Sequence, residues 1–363
     1  MSRILLPKLD QIPNTIAAAI DYEVYARERL DDNAWAYLSG SAGDGVTHAG
    51  NRSAFDAISL LPRVLRGSAG ASTGIELLGL DLAHPVLLAP IAYQRLFHPG
   101  GEAASAMAAS AVDALMIVPT LSSVPMEAIA SQAEGAPQWF QLYLQPDRGI
   151  TLDLLRRAEA AGFKAIVLTV DAPINGIRHD ERRAGFRLPD DVFAANLPAA
   201  PKAPKGEGHQ VFDIAMANAP VWEDLDWLVS QTSLPVVLKG ILHPADARMA
   251  VARGAAALVI SNHGGRTLDT LVPAITALPA IAEAVDVPLI LDGGVCRGTD
   301  VLKALALGAR AVLVGRAYAM ALAVAGPLGV AHCIKLLVEE FAVGMALTGV
   351  LQPREITRDL LAK

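Results

Sequence analysis

A chain of 363 residues, 53% apolar and 18% charged, is long enough for one large α/β barrel or two ordinary domains and too apolar to stay disordered. A net charge of −7 with no Lys/Arg-rich block argues against a nucleic-acid partner, because phosphate backbones are met by a basic face. Two cysteines, Cys296 and Cys333, are too few for a disulfide framework and suit a reducing cytoplasm.

The N-terminus, "MSRILLPKLDQIPNT", lacks the sustained apolar core of a signal peptide. Residues 1–84 read as helices followed by a short β excursion around "ISLLPRVL" and "GIELLGLDL". Beyond them, short runs of Val, Ile and Leu recur, each followed by a helix-like stretch. They are "PVLLAPIA" (85–92), "LMIVPTL" (115–121), "WFQLYL" (139–144) and "AIVLTVD" (165–171), then "PVVLKGI" (235–241), "ALVISNHG" (257–264), "PLILDGG" (288–294) and "AVLVGR" (311–316). Continuous rather than alternating runs are expected of parallel strands covered on both faces.

Eight such units in succession predict an α/β fold of the (β/α)8 TIM-barrel type, although periodicity alone is shared with a doubly wound sheet. The expected layout is a single domain: an N-terminal extension (1–84), a barrel (85–325) with a long loop after strand 4 (172–234), and a C-terminal helical segment (326–363). That loop holds "LPAAPKAPKGEGHQ", and loops of this length commonly act as lids or binding loops. The apolar stretch 317–334 is interrupted by Gly326-Pro327 and reads as a broken helix of a soluble core rather than a membrane span.

In barrels the active site lies at the C-terminal ends of the strands. There the sequence puts Gln141 and Tyr143, Thr169 and Asp171, Lys239, then Ser261, Asn262, His263 and Arg266, then Asp292-Gly293-Gly294, and Gly315-Arg316. Any one of these alone is more often structural than functional; their convergence on one rim is what points to a site. The glycines after strand 7, the helix opening at Thr299-Asp300 and Arg316 after strand 8 match the usual phosphate position of such barrels, although tight turns need glycine too.

At this point the chain resembles the FMN-dependent 2-hydroxy-acid oxidases and dehydrogenases, among them glycolate oxidase, lactate oxidase and mandelate dehydrogenase. The resemblance runs from "YLSGSAGD" (37–44) through "LLAPIAYQRLFHPGGE", "FQLYL", "AGFKAIVLTVDAP" and "LPVVLKGI" to "SNHGGRTLD" and "DGGVCRGTDVLKALALGARAVLVGR". "APIAYQRLFHPGGE" and the compact "TLSSVPMEAIA" look most like hydroxymandelate oxidases, and the shortened loop with Val124 after Ser123 favours a bulky or aromatic, mandelate-like (S)-2-hydroxy acid. L-lactate, or a dehydrogenase passing electrons to a quinone, is the alternative.

The resemblance implies FMN as cofactor, O2 as acceptor giving H2O2, no metal, a homotetramer, and the following roles. His263 is the base and Asp171 its partner; Arg178 and Arg266 hold the substrate carboxylate with Tyr37, and Tyr143 lies near the substrate hydroxyl. Lys239 sits by the flavin N1–O2 edge, Pro90, Ile91 and Ala92 lie against the ring, and Ser122, Gln141, Thr169 and Ser261 hydrogen-bond around it. The phosphate rests on the segment from Asp292 through Gly293 and Gly294 to Cys296, and on Gly315-Arg316.

These residue types suit the chemistry: an imidazole titrates near neutrality, a carboxylate steadies the imidazolium, two guanidiniums fix a carboxylate, and a lysine offers charge to an anionic reduced flavin. Where the family usually has Arg-Arg after "DGGV", this chain has Cys296-Arg297, so one phosphate contact is expected to be lost or taken over by Arg297, with Lys303 a less favoured substitute. Tyr93, where glycolate enzymes carry methionine, is expected near the pocket, and Asp180 with Arg182-Arg183 reads as a solvated charged loop. Asp269 is expected to anchor its loop, through Arg266. Two other readings are a Schiff-base aldolase using Lys239 and a non-catalytic flavin or phosphate binder.

Overall fold

The computed structural model describes residues 4–67, 69–198 and 209–362. A two-stranded antiparallel hairpin, β1 (Ile75–Leu77) and β2 (Leu80–Leu82), precedes the barrel. Its two-residue turn places Leu78 and Gly79 at φ of 49° and 76°, the left-handed pair that matches strand twist. The barrel strands are β3 (Val86–Leu88), β4 (Met116–Pro119), β5 (Gln138–Leu142), β6 (Ile166–Thr169), β7 (Val236–Ile241), β8 (Ala257–Ile260), β9 (Leu289–Asp292) and β10 (Ala311–Val314). They pair in parallel in chain order, and β10 closes on β3, so the barrel alternative is the one realised.

The continuous apolar runs have a simple cause. Along a strand, side chains alternate between faces, and here both faces are buried. Leu87, Ile117, Trp139, Val167, Val237, Val259, Ile290 and Leu313 fill the barrel interior together with Ile75, Leu77 and Leu82 of the hairpin, which plugs it. Their neighbours Val86, Leu88, Met116, Val118, Phe140, Ile166 and Leu168 pack outward against the helices. Each such side chain contributes about 1.5–3 kcal/mol through burial, which is what holds strands of three to six residues in register.

The strands are shorter than the apolar runs, and except at β7 most of the excess lies at their C-terminal ends. "ISLLPRVL" forms no strand, only an isolated bridge between Leu60 and Leu361. The loop after β6 is partly built: it contains helices His179–Ala184 and Trp222–Gln231 and a π-helical turn Gln210–Ala215. Most of its Pro- and Lys-rich stretch, 199–208, lies outside the described residues. Among the described residues one helix, Arg316–Thr348, is long and apolar enough to cross a membrane. It breaks at Ala325 and Gly326 and buries Leu322, Val324, Ile334 and Phe341 in the protein's own core.

Candidate active site

The loop after β8 turns the chain back over the barrel mouth through three successive left-handed residues, His263, Gly264 and Gly265, at φ of 56°, 61° and 74°. Only His263 carries a side chain, and for a non-glycine residue this conformation costs about 1–3 kcal/mol unless the surroundings enforce it. Its N–H donates to Ser261 Oγ at 2.9 Å, and the Gly265 N–H donates to the Asn262 carbonyl at 2.9 Å. Asn262 is locked in turn by a reciprocal amide pair with Asn51 at 2.8 and 2.9 Å.

His263 Nδ1 lies 2.9 Å from Asp171 Oδ1. A carboxylate only accepts, so Nδ1 carries a proton, and in the neutral ring Nε2 presents the lone pair a general base needs. Burial pushes the Asp171 carboxyl up, but the charges of His263 and Lys239 outweigh it and hold it below its ordinary value. Lys239 reaches Asp292 Oδ2 at 2.8 Å and Ser261 Oγ at 3.0 Å, and the Ser261 hydroxyl donates to Asp292 at 2.7 Å. Burial favours neutral Lys239; Asp292 and Asp171 together overcome it and raise its pKa. The bulge between Lys239 and Ile241 makes room for this: a Cβ on Gly240 would lie 2.6 Å from the Asp171 side chain.

Two guanidiniums face the same mouth. Arg178 Nε donates to the Arg266 carbonyl at 3.2 Å and Nη2 to Asn175 Oδ1 at 3.3 Å, while Arg266 Nη1 donates to the Gly40 carbonyl at 2.7 Å. The Arg266 guanidinium lies 5.2 Å from the Tyr37 ring centroid, and its pKa is lowered by burial and by Arg178. Burial pushes the Tyr143 phenol up to about 12, reinforced by Asp171, and raises that of Tyr37 as well, so both remain neutral donors. Tyr37 stacks on Phe186 at 5.1 Å and meets Tyr93 edge-on at 6.3 Å, which gives the mouth an aromatic side.

Gln141 Nε2, Thr169 Oγ1, Asp171 Oδ2 and Arg316 Nε are buried polar atoms with no protein partner, and folded proteins leave few of these. They lie at the mouth with Lys239 and the half-buried Pro90, Ile91 and Ala92. An apolar ledge beside amide, hydroxyl and ammonium donors suits an isoalloxazine, and the residues present therefore fit FMN. Arg316 suits its phosphate: it is half-buried with Nε fully shielded, faces the Gly264 and Gly40 carbonyls at 2.8 and 3.0 Å, and is pulled down to about 9 by burial and by Arg266.

Several expected placements change. The Asp292 carboxylate is drawn to the buried Lys239 ammonium, which leaves the backbone of that residue, not its side chain, to the expected phosphate segment. Arg297 pairs with Glu340 at 3.2 Å and Lys303 donates to the Phe55 carbonyl at 2.9 Å, so both expected substitutes face protein partners. Asp300 accepts the Cys296 and Arg297 N–H groups, each at 2.9 Å, and holds Arg52 at 2.6 and 2.8 Å. The Ser122 hydroxyl is committed to the Val124 carbonyl and Asn196 Nδ2, both at 2.7 Å. Val124 is buried in the core rather than facing the mouth, which removes the local argument for a bulky substrate. Asp269 anchors the loop through the N–H groups of Asp44, Val46 and Thr47, not through Arg266.

Sequence reasoning missed Asn51, Arg52, Asn196 and Glu102. Glu102 is wholly buried and accepts from the Gln94 and Ser123 N–H groups and the Ser123 hydroxyl, joining the loops after β3 and β4. A polar side chain away from the strand ends carries no mark of such a role, because its partner is far away in the chain. Glu181, inside the run read as solvated, was passed over as well; its carboxylate lies 2.5 Å from Arg178 Nη1 and 3.5 Å from Arg266 Nη2.

A barrel mouth with a His–Asp base, paired arginines and a flavin-shaped set of donors defines a flavin-dependent oxidoreductase. The family profile for FMN-dependent dehydrogenases matches residues 26–363. An L-lactate oxidase of Alicycliphilus denitrificans is 50% identical over 97% of this chain and 98% of its own length. A 4-hydroxymandelate oxidase of Amycolatopsis orientalis is 45% identical over 92% and 95%. A crystal structure of mandelate oxidase with (S)-2-phenylpropionate superposes with a TM-score of 0.87 at 43% identity, covering 95% of this chain and 98% of that one. The chain belongs to the FMN-dependent 2-hydroxy-acid oxidase and dehydrogenase family, and its cofactor is FMN. The expected likeness to hydroxymandelate oxidases is real, but this lactate oxidase is the more similar of the two over the whole chain.

Proposed function

We propose that this protein oxidises a small (S)-2-hydroxy acid, L-lactate first, to its 2-oxo acid, with O2 as electron acceptor and H2O2 as product. The observation that carries the reaction type is the 2.9 Å contact between His263 and Asp171 beside the Arg178 and Arg266 guanidiniums. In this reading Arg178, Arg266 and Tyr37 hold the substrate carboxylate, Tyr143 donates to its hydroxyl oxygen, and His263 Nε2 takes a substrate proton. Asp171 then steadies the imidazolium. FMN, when bound, accepts the two electrons and passes them on. Lys239 supplies positive charge to it; Thr169, Gln141 and Ser261 supply hydrogen bonds; Gly293, Gly294, Gly315 and Arg316 hold its phosphate.

Two observations bear on the substrate. The 50% identity to an L-lactate oxidase favours lactate. The aromatic side formed by Tyr37, Phe186 and Tyr93 favours the second reading, an aromatic hydroxy acid such as mandelate. Anaerobic bleaching of the flavin by L-lactate and (S)-mandelate, followed by timed reoxidation with O2, tests both. Faster bleaching by L-lactate and prompt reoxidation with peroxide supports the proposal. Preference for mandelate selects the second substrate, and negligible reoxidation by O2 would replace the oxidase with a dehydrogenase.

A further inference from the structure

We infer that Glu181 sets how tightly the enzyme holds carboxylate ligands, by acting as a counter-charge to Arg178 and Arg266. The inference rests on the reading of that pair as the substrate's carboxylate clamp. One oxygen of Glu181, Oε1, bridges both guanidiniums, 2.5 Å from Arg178 Nη1 and 3.5 Å from Arg266 Nη2. All three side chains are largely shielded, with 12% of Arg178, 16% of Arg266 and 17% of Glu181 exposed. Asp180 and Arg183, on the same short helix, pair with each other in solvent at 73% and 57% exposure for the arginine and aspartate. Glu181 is thus the acid that this helix turns inward.

The bridge does not close the clamp. Arg178 spends donors on the Arg266 carbonyl, Asn175 and Glu181, and Arg266 on the Gly40 carbonyl and Glu181. A guanidinium has five N–H donors, so both retain some for a ligand. An arriving carboxylate therefore meets two cations and one anion. Removing the anion leaves two buried like charges facing the ligand, and binding tightens. A unit charge about 5 Å away at an effective dielectric of about 20, discounted for partial exposure, corresponds to about tenfold to hundredfold in a binding constant. The 2-oxo acid product carries the same carboxylate, so the repulsion that weakens substrate binding also speeds product departure.

The test uses the FMN-loaded enzyme as wild type, Glu181→Gln and Glu181→Asp. Perturbation of flavin absorbance measures binding of pyruvate and benzoylformate, with lactamide and mandelamide as neutral analogues. Glu181→Gln is expected to bind the two oxo acids about tenfold tighter, leave the amides unchanged and lower kcat and KM together; Glu181→Asp, which keeps the charge, should stay near wild type. Weaker or unchanged oxo-acid binding by Glu181→Gln, or a parallel shift with the amides, overturns the inference and makes Glu181 a purely structural brace. A wild-type flavin that no carboxylate perturbs and no hydroxy acid reduces instead overturns the clamp itself, and the inference with it.

Discussion

At His263 the backbone holds a conformation that non-glycine residues avoid, and Ser261, Asn262 and Asn51 enforce it. The imidazole, aimed by Asp171, is the group whose removal should cost most. His263→Gln is expected to slow anaerobic flavin reduction by at least about 10²–10⁴-fold with FMN still bound, as read by stopped-flow absorbance. Asp171 allows a pH test. Its folded pKa lies below the ordinary 3.8 because His263 and Lys239 outweigh burial. A depressed carboxylate contributes stability above its unfolded pKa and loses it as pH falls through the folded one. Asp171→Asn should therefore flatten the acid limb of urea stability below about pH 4, while wild type keeps a steep fall. Arg316 is expected to matter for cofactor rather than turnover: Arg316→Lys keeps charge but loses the fork. FMN affinity of the apoenzyme should fall about tenfold to hundredfold in a fluorescence titration.

At the scale of elements, the bulge in β7 and the Arg52–Asp300 brace do the positioning. An alanine at position 240 would set its Cβ 2.6 Å from Asp171 at a backbone φ of 112°. Gly240→Ala should cost about 1–3 kcal/mol of stability and displace Asp171, so that flavin reduction slows even in folded, yellow protein. Thermal melts and stopped-flow traces on the same preparation check both effects. The strands themselves were legible because parallel strands buried on both faces need unbroken apolar runs. Their ends were legible only to within a few residues: the β8 run reads through Gly264, whereas the ladder stops at Ile260, a limit that cross-strand hydrogen bonding sets. The excursion "ISLLPRVL" pairs only once, Leu60 with Leu361, and Pro62, which has no N–H to donate, ends the ladder there.

The whole molecule ties the N-terminal extension to the barrel mouth. Tyr37, Gly40, Asn51 and Arg52 all precede the first barrel strand, and each meets a residue of the mouth or of its supporting loops. A ligand that bridges such distant segments should stabilise the entire fold. FMN at about a thousand times its dissociation constant is expected to add about 4 kcal/mol and raise the melting temperature of the apoenzyme by several degrees, measured by calorimetry with and without FMN.

The sequence by itself determined eight successive β–α units and the chemical types at their strand ends, since burial on two faces and polar strand ends are local patterns; that β10 closes on β3 into a barrel was decided by tertiary structure. It also marked His263, Asp171, Lys239 and Arg266 as members of one rim, to which the family resemblance added Arg178. Tertiary structure decided the pairings: Asp292 with Lys239, Arg297 with Glu340, Asp269 with the Asp44–Thr47 backbone, and Glu181 between two arginines. A charged side chain reads the same whether it meets solvent, a cofactor or a counter-ion. Which of these it meets depends on segments hundreds of residues apart being brought within about 3 Å of one another, the range over which hydrogen bonds form.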